Sequence, residues 1–388
     1  MPSGASKGKH EAVELRDGDE KRFHGKGVSR AVLNVNKVLG PKLKGLDADD
    51  LRKVDRTMIG LDGTVNKGKL GANAILALSM ASARAAANAK LVGLFAQLRA
   101  SDTYTLPVPM MNVINGGEHA GNGLAIQEFL IEPVGARSCA EGIRMGAEVY
   151  QSLKSVLSAK YGRSAINVGD EGGFAPPLAS TRDALSSIRE AVTKAGYGEG
   201  EVRLGVDAAA STFYDDKTGR YAIDGKSLDG AKLEDYIVSI ADEYGLLTIE
   251  DPFEEEAFKS FASITRRLGP KTKVIGDDIY VTNVSRMKKG IQAKATNAVL
   301  IKLNQIGTVS ETEDAIDLAR RAEWTVVVSH RSGETEDPFI AHLAAAFGAE
   351  FIKAGAPARG ERVAKYNELL RIEEELGAKA LYSGKKLF

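Results

Sequence analysis

The 388-residue sequence predicts an α/β protein, a closed (β/α)8 barrel preceded by a smaller α+β domain. Three observations carry this reading. Eight short apolar runs follow one another after residue 106. From the third run onward they alternate with stretches of helical period, the pattern of parallel strands joined by right-handed crossovers. Eight strands in about 280 residues fit a closed barrel better than an open sheet.

Taken in order, residues 10–16 (HEAVELR) alternate in polarity and predict a strand, ended by Asp17-Gly18. Helical spacing of Val, Leu and Ile follows over 28–39 and 47–59. The Ala- and Leu-rich run Leu70–Ala100 predicts helix interrupted near Gly93. These elements make up an α+β cap domain over 1–105. The two prolines of Ser101–Pro109 mark the passage into a barrel domain over 106–388.

Barrel strands are predicted at 108–114, 127–132, 202–206, 246–249, 273–276, 298–301, 325–328 and 350–352. Helices are predicted at 233–244, 256–268, 283–293, 309–322 and 336–348. The first two strands lie a short loop apart and are expected to pair antiparallel, before two helices at 138–160 and 180–195. The Gly- and Pro-rich link Asn167–Pro177 presents Asp170-Glu171 on a loop.

Lys+Arg and Asp+Glu balance at 52 each, which removes the global electrostatic case for nucleic acid or an acidic membrane as partner. No run approaches the roughly 18 apolar residues of a membrane span. The first twenty residues hold no apolar leader core, and the single cysteine, Cys139, has no partner for a disulfide or zinc knuckle. A cytoplasmic address is expected.

Chemistry collects at the carboxyl ends of the predicted strands, the face on which barrel enzymes build their sites. There stand Asp207, Glu250-Asp251, Asp277-Asp278, Lys302, His330-Arg331-Ser332 and Lys353. On a closed barrel these side chains converge on one mouth. Asp207, Glu250 and Asp277 supply hard oxygen ligands without His or Cys, a set suited to Mg²⁺ over Zn²⁺. Lys302 beside such a cluster, near the second cation Lys353, is expected to have a lowered pKa and to serve as a base. The competing reading is a structural ion-pair network. Arg331 and Ser332 are donors of the kind that grip phosphate. Upstream, NGGEHAGN sets His119 in a glycine-rich loop, and Gln127-Glu128 opens the second strand.

With these residues stand strings that resemble the enolase family: Ser3-Gly-Ala-Ser6, Leu70-Gly-Ala-Asn-Ala-Ile, Asn115-Gly-Gly-Glu-His119, Gln127-Glu128-Phe and Val168-Gly-Asp-Glu171-Gly-Gly. Further strings are Glu250-Asp-Pro, Gly276-Asp277-Asp, Leu303-Asn-Gln-Ile-Gly, Ser329-His-Arg-Ser-Gly-Glu-Thr-Glu-Asp and Ala364-Lys-Tyr-Asn. The resemblance runs from Ser3 to the last residues. It implies a ββαα(βα)6 barrel of the TIM type behind an α+β cap. It also implies a lyase of glycolysis and gluconeogenesis, with reversible dehydration of 2-phosphoglycerate to phosphoenolpyruvate using two Mg²⁺ per site. By position, Asp207, Glu250 and Asp277 match ligands of the first Mg²⁺, and Ser6 a loop ligand of the second. Lys302 matches the base at C2, and Glu171 the acid at the C3 hydroxyl. Glu128, His119 and His330 match groups around that hydroxyl, Gln127 a neighbour, and Lys353 a carboxylate contact. Arg331 and Ser332 match phosphate contacts. A homodimer, or an octamer, is implied as well.

Relative to the family pattern the chain starts immediately before the Ser3–Ser6 loop, without the first two cap strands, which predicts an exposed edge on strand 10–16. Lys7 stands where a threonine is usual, Thr212 for a glutamate, Ala354 for a threonine and Gly360 for a serine. Two alternatives stay open from sequence. One is a related lyase or racemase acting on an unphosphorylated acid. The other is a shortened, non-catalytic binding or structural protein.

Overall fold

The computed structural model describes residues 3–4, 7–269, 271–384 and 387. Ser6 lies outside the described residues.

The amino-terminal part is helical. Ser29–Asn34 runs through a π turn at Val35–Leu39 into Gly40–Leu43. Helix α1 (Leu51–Asp62) starts where the Asp50 carboxylate accepts the Lys53 N–H, and stops at Gly63 with φ 71°. Helix α2 (Ala72–Lys90) is the Ala-rich run, and its break comes at Leu91, which takes the left-handed conformation, two residues before Gly93. Ala31, Leu39, Val54, Met58, Leu70, Ala74 and Ile75 pack a small core between these helices.

Residues 10–16 do not form the predicted strand. They run extended, but no described strand pairs with them. Their backbone groups are satisfied piecemeal: Ala12 donates to the Gln305 carbonyl, Val13 to that of Asn66, and Leu15 exchanges two bonds with the Asn73 side chain. Alternating polarity reports an extended chain with two unlike faces. It does not report whether a ladder partner exists.

All eight expected barrel strands are present: β1 (Val108–Asn115), β2 (Glu128–Glu132), β3 (Arg203–Asp207), β4 (Thr248–Glu250), β5 (Lys273–Gly276), β6 (Ala298–Ile301), β7 (Thr325–Ser329) and β8 (Phe351–Lys353). They close in sequential order. β2 is antiparallel to both β1 and β3, and every other pairing is parallel. Helices α3 (Cys139–Tyr161) and α4 (Thr181–Lys194) follow β2 in succession. After β3 each crossover carries a principal helix: α5 (Gly230–Tyr244), α6 (Phe258–Leu268), α7 (Val284–Ala293), α8 (Val309–Arg321), α9 (Phe339–Ala346) and α10 (Gly360–Leu376). The architecture is thus ββαα(βα)6.

Strand residues alternate between two cores, as the period of two requires. Val113, Phe129, Ile131, Val206, Ile249, Val299 and Val326 pack with the helices. Met110, Leu130, Ile275, Leu300, Val327 and Phe351 fill the lumen. Two small sheets were not foreseen: Tyr104–Leu106 beside Ala380–Tyr382, and a meander of Tyr214–Asp215, Arg220–Ile223 and Lys226–Leu228. Among the described residues no helix is long and apolar enough to cross a membrane.

Candidate active site

Strand register brings the predicted residues together. Glu128 opens β2 opposite Asp207 at the end of β3, and Asp207 lies beside Glu250 at the end of β4. Asp277, Lys302 and His330 each follow directly on β5, β6 and β7, and Lys353 ends β8. A cleft of about 380 Å³ is lined by His119, Gln127, Glu128, Glu171, Asp207, Asp277, Lys302, His330, Arg331, Ser332 and Lys353, with Asp251 and Asp278. Glu250 does not line it. Its fully buried carboxylate sits behind Lys353.

Lys353 Nζ is the hub. It stands 2.7 Å from Asp207, 2.9 Å from Glu250 and 3.1 Å from Glu128. Burial pushes the ammonium towards neutrality, but Asp207, Glu128 and Glu250 outweigh it and hold its pKa well above the ordinary range.

Lys302 differs from expectation. Its Nζ donates to Asp277 Oδ2. Burial lowers its pKa, and so do Arg331 and Lys353, yet Asp277 and Glu250 prevail and the net shift is upward. Asp277 in turn would be raised by burial but is held below the usual carboxylate range by Lys302. Gln305 donates to Asp277 Oδ1 (2.9 Å) and accepts from Thr282, whose hydroxyl oxygen takes the Lys302 N–H (2.9 Å). Asp251 accepts the backbone N–H groups of Asp277 (2.9 Å) and Asp278 (2.7 Å), fixing the turn after β5.

Across the mouth lies a carboxyl pair. His119, Glu128 and Glu171 bring ligand-type atoms within 4.8 Å of one another. Burial and the neighbouring charge of Glu171 raise Glu128 well above its ordinary value. Glu171 is opposed by burial too, but His330 and His119 hold it well below. The two shifts run in opposite directions, as in a buried carboxyl pair that shares one proton. Asn112 donates to Glu171 Oε2 at 3.1 Å, and His330 Nε2 lies 3.3 Å from the same oxygen. His119 Nδ1 is 3.8 Å from both carboxylates, and its Nε2 is 3.2 Å from Gln127 Nε2.

Arg331 is engaged by a residue that sequence reasoning missed. Glu11 accepts from Arg331 Nη1 (2.9 Å) and Nη2 (3.0 Å), and Asn304 accepts a third bond at 3.0 Å. Nothing local in HEAVELR marks Glu11, because its partner lies 320 residues away. Of the departures from the family pattern, Lys7 pairs with Glu14 at 3.4 Å, and Thr212, in the turn Ala210–Phe213, lines a separate pocket together with Lys7 and Asp278. Ala354 is buried next to Lys353, and Gly360 opens α10.

Asp207, Glu250 and Asp277 are oxygen donors of the kind a hard divalent cation takes, but in this structure Asp207 and Glu250 close on Lys353 and Asp277 on Lys302, and the three form no group with oxygens within 4.8 Å. Glu250 Oε1 is buried without a hydrogen-bond partner, an orphan that a cation would satisfy. Burial and Asp207 raise the Glu250 pKa well above the ordinary range, as expected of a carboxylate short of positive charge. A second acidic cluster, Asp251, Asp277 and Asp278, brings oxygens within 4.8 Å. In that cluster both Asp251 oxygens hold backbone N–H groups and both Asp277 oxygens are taken by Lys302 and Gln305, so Asp278 is its freer ligand.

Family models and curated relatives cover nearly the whole chain. Residues 1–98 match the family model described as the enolase N-terminal domain, and 103–388 that of the enolase C-terminal TIM barrel domain. The chain is 57% identical over 385 residues to an enolase of Methanocaldococcus jannaschii, covering 99% of this chain and 89% of that protein. It is 55% identical over 382 residues to an enolase of Methanosarcina barkeri (98% and 89%) and 54% over 387 residues to one of Thermococcus gammatolerans (100% and 90%). With both halves matched and more than half of its residues shared along nearly its whole length, the chain belongs to the enolase family.

Proposed function

We propose that this chain, as a hydro-lyase interconverting 2-phosphoglycerate and phosphoenolpyruvate, uses Lys302 as the base at C2 and the Glu128–Glu171 pair as the acid side at the C3 hydroxyl. One observation carries the division. β6 and β2 stand four places apart in a ring of eight strands, so Lys302 and Glu128 face each other across the mouth. A proton taken from one face and a hydroxyl lost from the other make an anti elimination.

A proton beside a carboxylate is weakly acidic, because its loss adds charge to an already charged group. Lys353 would receive that carboxylate. Asp207, Glu250 and Asp277 would hold one Mg²⁺, and Ser6 a second. The chemistry these ions supply when bound is neutralisation of the developing dianion. Were Asp277 and Glu250 to serve as ligands, burial, Arg331 and Lys353 would remain to act on Lys302, and all three push its pKa down, towards a base. On the other wall the proton shared by Glu128 and Glu171 accompanies the departing hydroxide, with His119, Gln127 and His330 orienting it. Arg331 and Ser332 hold the phosphate, Glu11 giving way to it at the guanidinium.

The reading extends to residues 1–105 as a cap domain and 106–388 as the catalytic barrel, in a cytoplasmic homodimer or octamer of glycolysis. Incubating the purified chain with 2-phosphoglycerate while following phosphoenolpyruvate absorbance tests it. Product is expected with Mg²⁺ and not after chelation. A chain that forms no product at any Mg²⁺ concentration contradicts the proposal.

A further inference from the structure

We infer that Arg362 is a positioning residue that fixes the tautomer of His330, so that the imidazole presents Nε2–H, and only a donor, to the acid side of the site; what that side does rests on the proposal above.

Arg362 lies in the first turn of α10, outside the strand ends that carry the rest of the site, and is 1% exposed. Its guanidinium makes four hydrogen-bond contacts. Nη1 donates to the Arg331 carbonyl and lies 2.8 Å from His330 Nδ1. Nη2 donates to the carbonyls of Ser332 (2.6 Å) and Asp170 (3.1 Å). A guanidinium has donors and no acceptor, so Nδ1 has to accept. A neutral imidazole carries one N–H, which therefore sits on Nε2, the nitrogen 3.3 Å from Glu171 Oε2. Placing a proton on Nδ1 would set two donors face to face in a buried site. Burial also pushes the ring pKa down to about 3, in keeping with a permanently neutral imidazole.

The same guanidinium ties both partners of the His330–Glu171 contact to one helix. Arg331 and Ser332 follow His330, and Asp170 precedes Glu171. The close approach needs Gly355. With φ +85° it adopts a left-handed conformation, and a Cβ there would stand 2.7 Å from Arg362 Cδ. His330 can thereby act only as a donor at Nε2, which stands 3.3 Å from Glu171 Oε2 without closing a hydrogen bond to it in this structure. It cannot accept a proton at Nε2, because that nitrogen already carries one.

The test is nitrogen NMR of the full chain carrying ¹⁵N-imidazole histidine, read without substrate so that it stands whether or not turnover is found. The chain has five histidines, and the His330 signals are those lost in His330→Asn. At neutral pH Nδ1 is expected to be pyridine-type and Nε2 pyrrole-type. A protonated Nδ1, or averaged tautomers, in the wild-type chain overturns the inference. Arg362→Met is expected to mix the tautomers and lower kcat about tenfold or more, with KM changed less than about threefold. Arg362→Lys, which retains a donor, should recover the tautomer and part of kcat. A pure Nε2–H tautomer persisting in a folded Arg362→Met chain also overturns it.

Discussion

At the scale of single residues, Glu132 shows what the barrel tolerates away from its mouth. It shares a strand face with Glu128 and Leu130, so it points into the lumen. There it accepts from the Thr248 hydroxyl and leaves Oε2 without a partner. Gly205 makes the room, since a Cβ there would stand 2.7 Å from Glu132 Oε1. Burial raises its pKa from 4.5 to about 7. Below about pH 4.5 the carboxyl is protonated in both folded and unfolded chain and has no effect on stability. Between there and about 7 the unfolded chain releases a proton that the folded barrel keeps, so stability falls as pH rises. Above that window the loss levels off at about 3 kcal/mol. Glu132→Gln is therefore expected to match the wild type near pH 4.5 and to exceed it by up to about 3 kcal/mol at pH 8, in urea unfolding at each pH. Parallel stability curves for the two chains would contradict this. At this scale the strand-end residues were legible, because their place follows from strand position alone. Glu11, Gln305 and Arg362 were not, since each draws its place from a partner that only the closed barrel brings near.

At the scale of elements, local chemistry decides where helices begin. Thr308 and Glu311 form a reciprocal cap at the start of α8: the Thr308 hydroxyl accepts the Glu311 N–H and donates to Glu311 Oε2. Glu311 also accepts from Lys67, so this cap ties the amino-terminal helices to the barrel. Thr308→Ala should cost about 1 kcal/mol of unfolding free energy, with Thr308→Ser restoring most of it. An alanine variant as stable as the wild type would show that the cap carries no weight. The barrel strands and helices could be read from apolar runs because each strand is buried on both faces by its neighbours. Segment 10–16 was misread because its extended backbone bonds one residue at a time to Gln305, Asn66 and Asn73, with no strand beside it among the described residues. The meander over 214–228 escaped notice because its strands are short and partly exposed.

At the scale of the whole molecule, the order of strands around the ring governs the proposed chemistry. Closure in sequential order places β2 and β6 on opposite sides, with Lys353 on β8 midway between them. Reversing β2 relative to its neighbours brings its first residue, Glu128, to the same mouth as the last residues of β3 and β4. The loop between α3 and α4 then delivers Glu171 to the Glu128 wall, where Tyr150 of α3 donates to the Gly172 carbonyl and helps to seat it. The central claim is that two separate walls handle the two halves of the reaction, and hydrogen exchange at C2 of 2-phosphoglycerate in ²H₂O separates them. Glu171→Gln is expected to keep C2 exchange while losing about 100-fold or more of phosphoenolpyruvate formation, and Lys302→Ala to lose both. C2 exchange that survives in Lys302→Ala, or that disappears in a folded Glu171→Gln chain, would contradict the account.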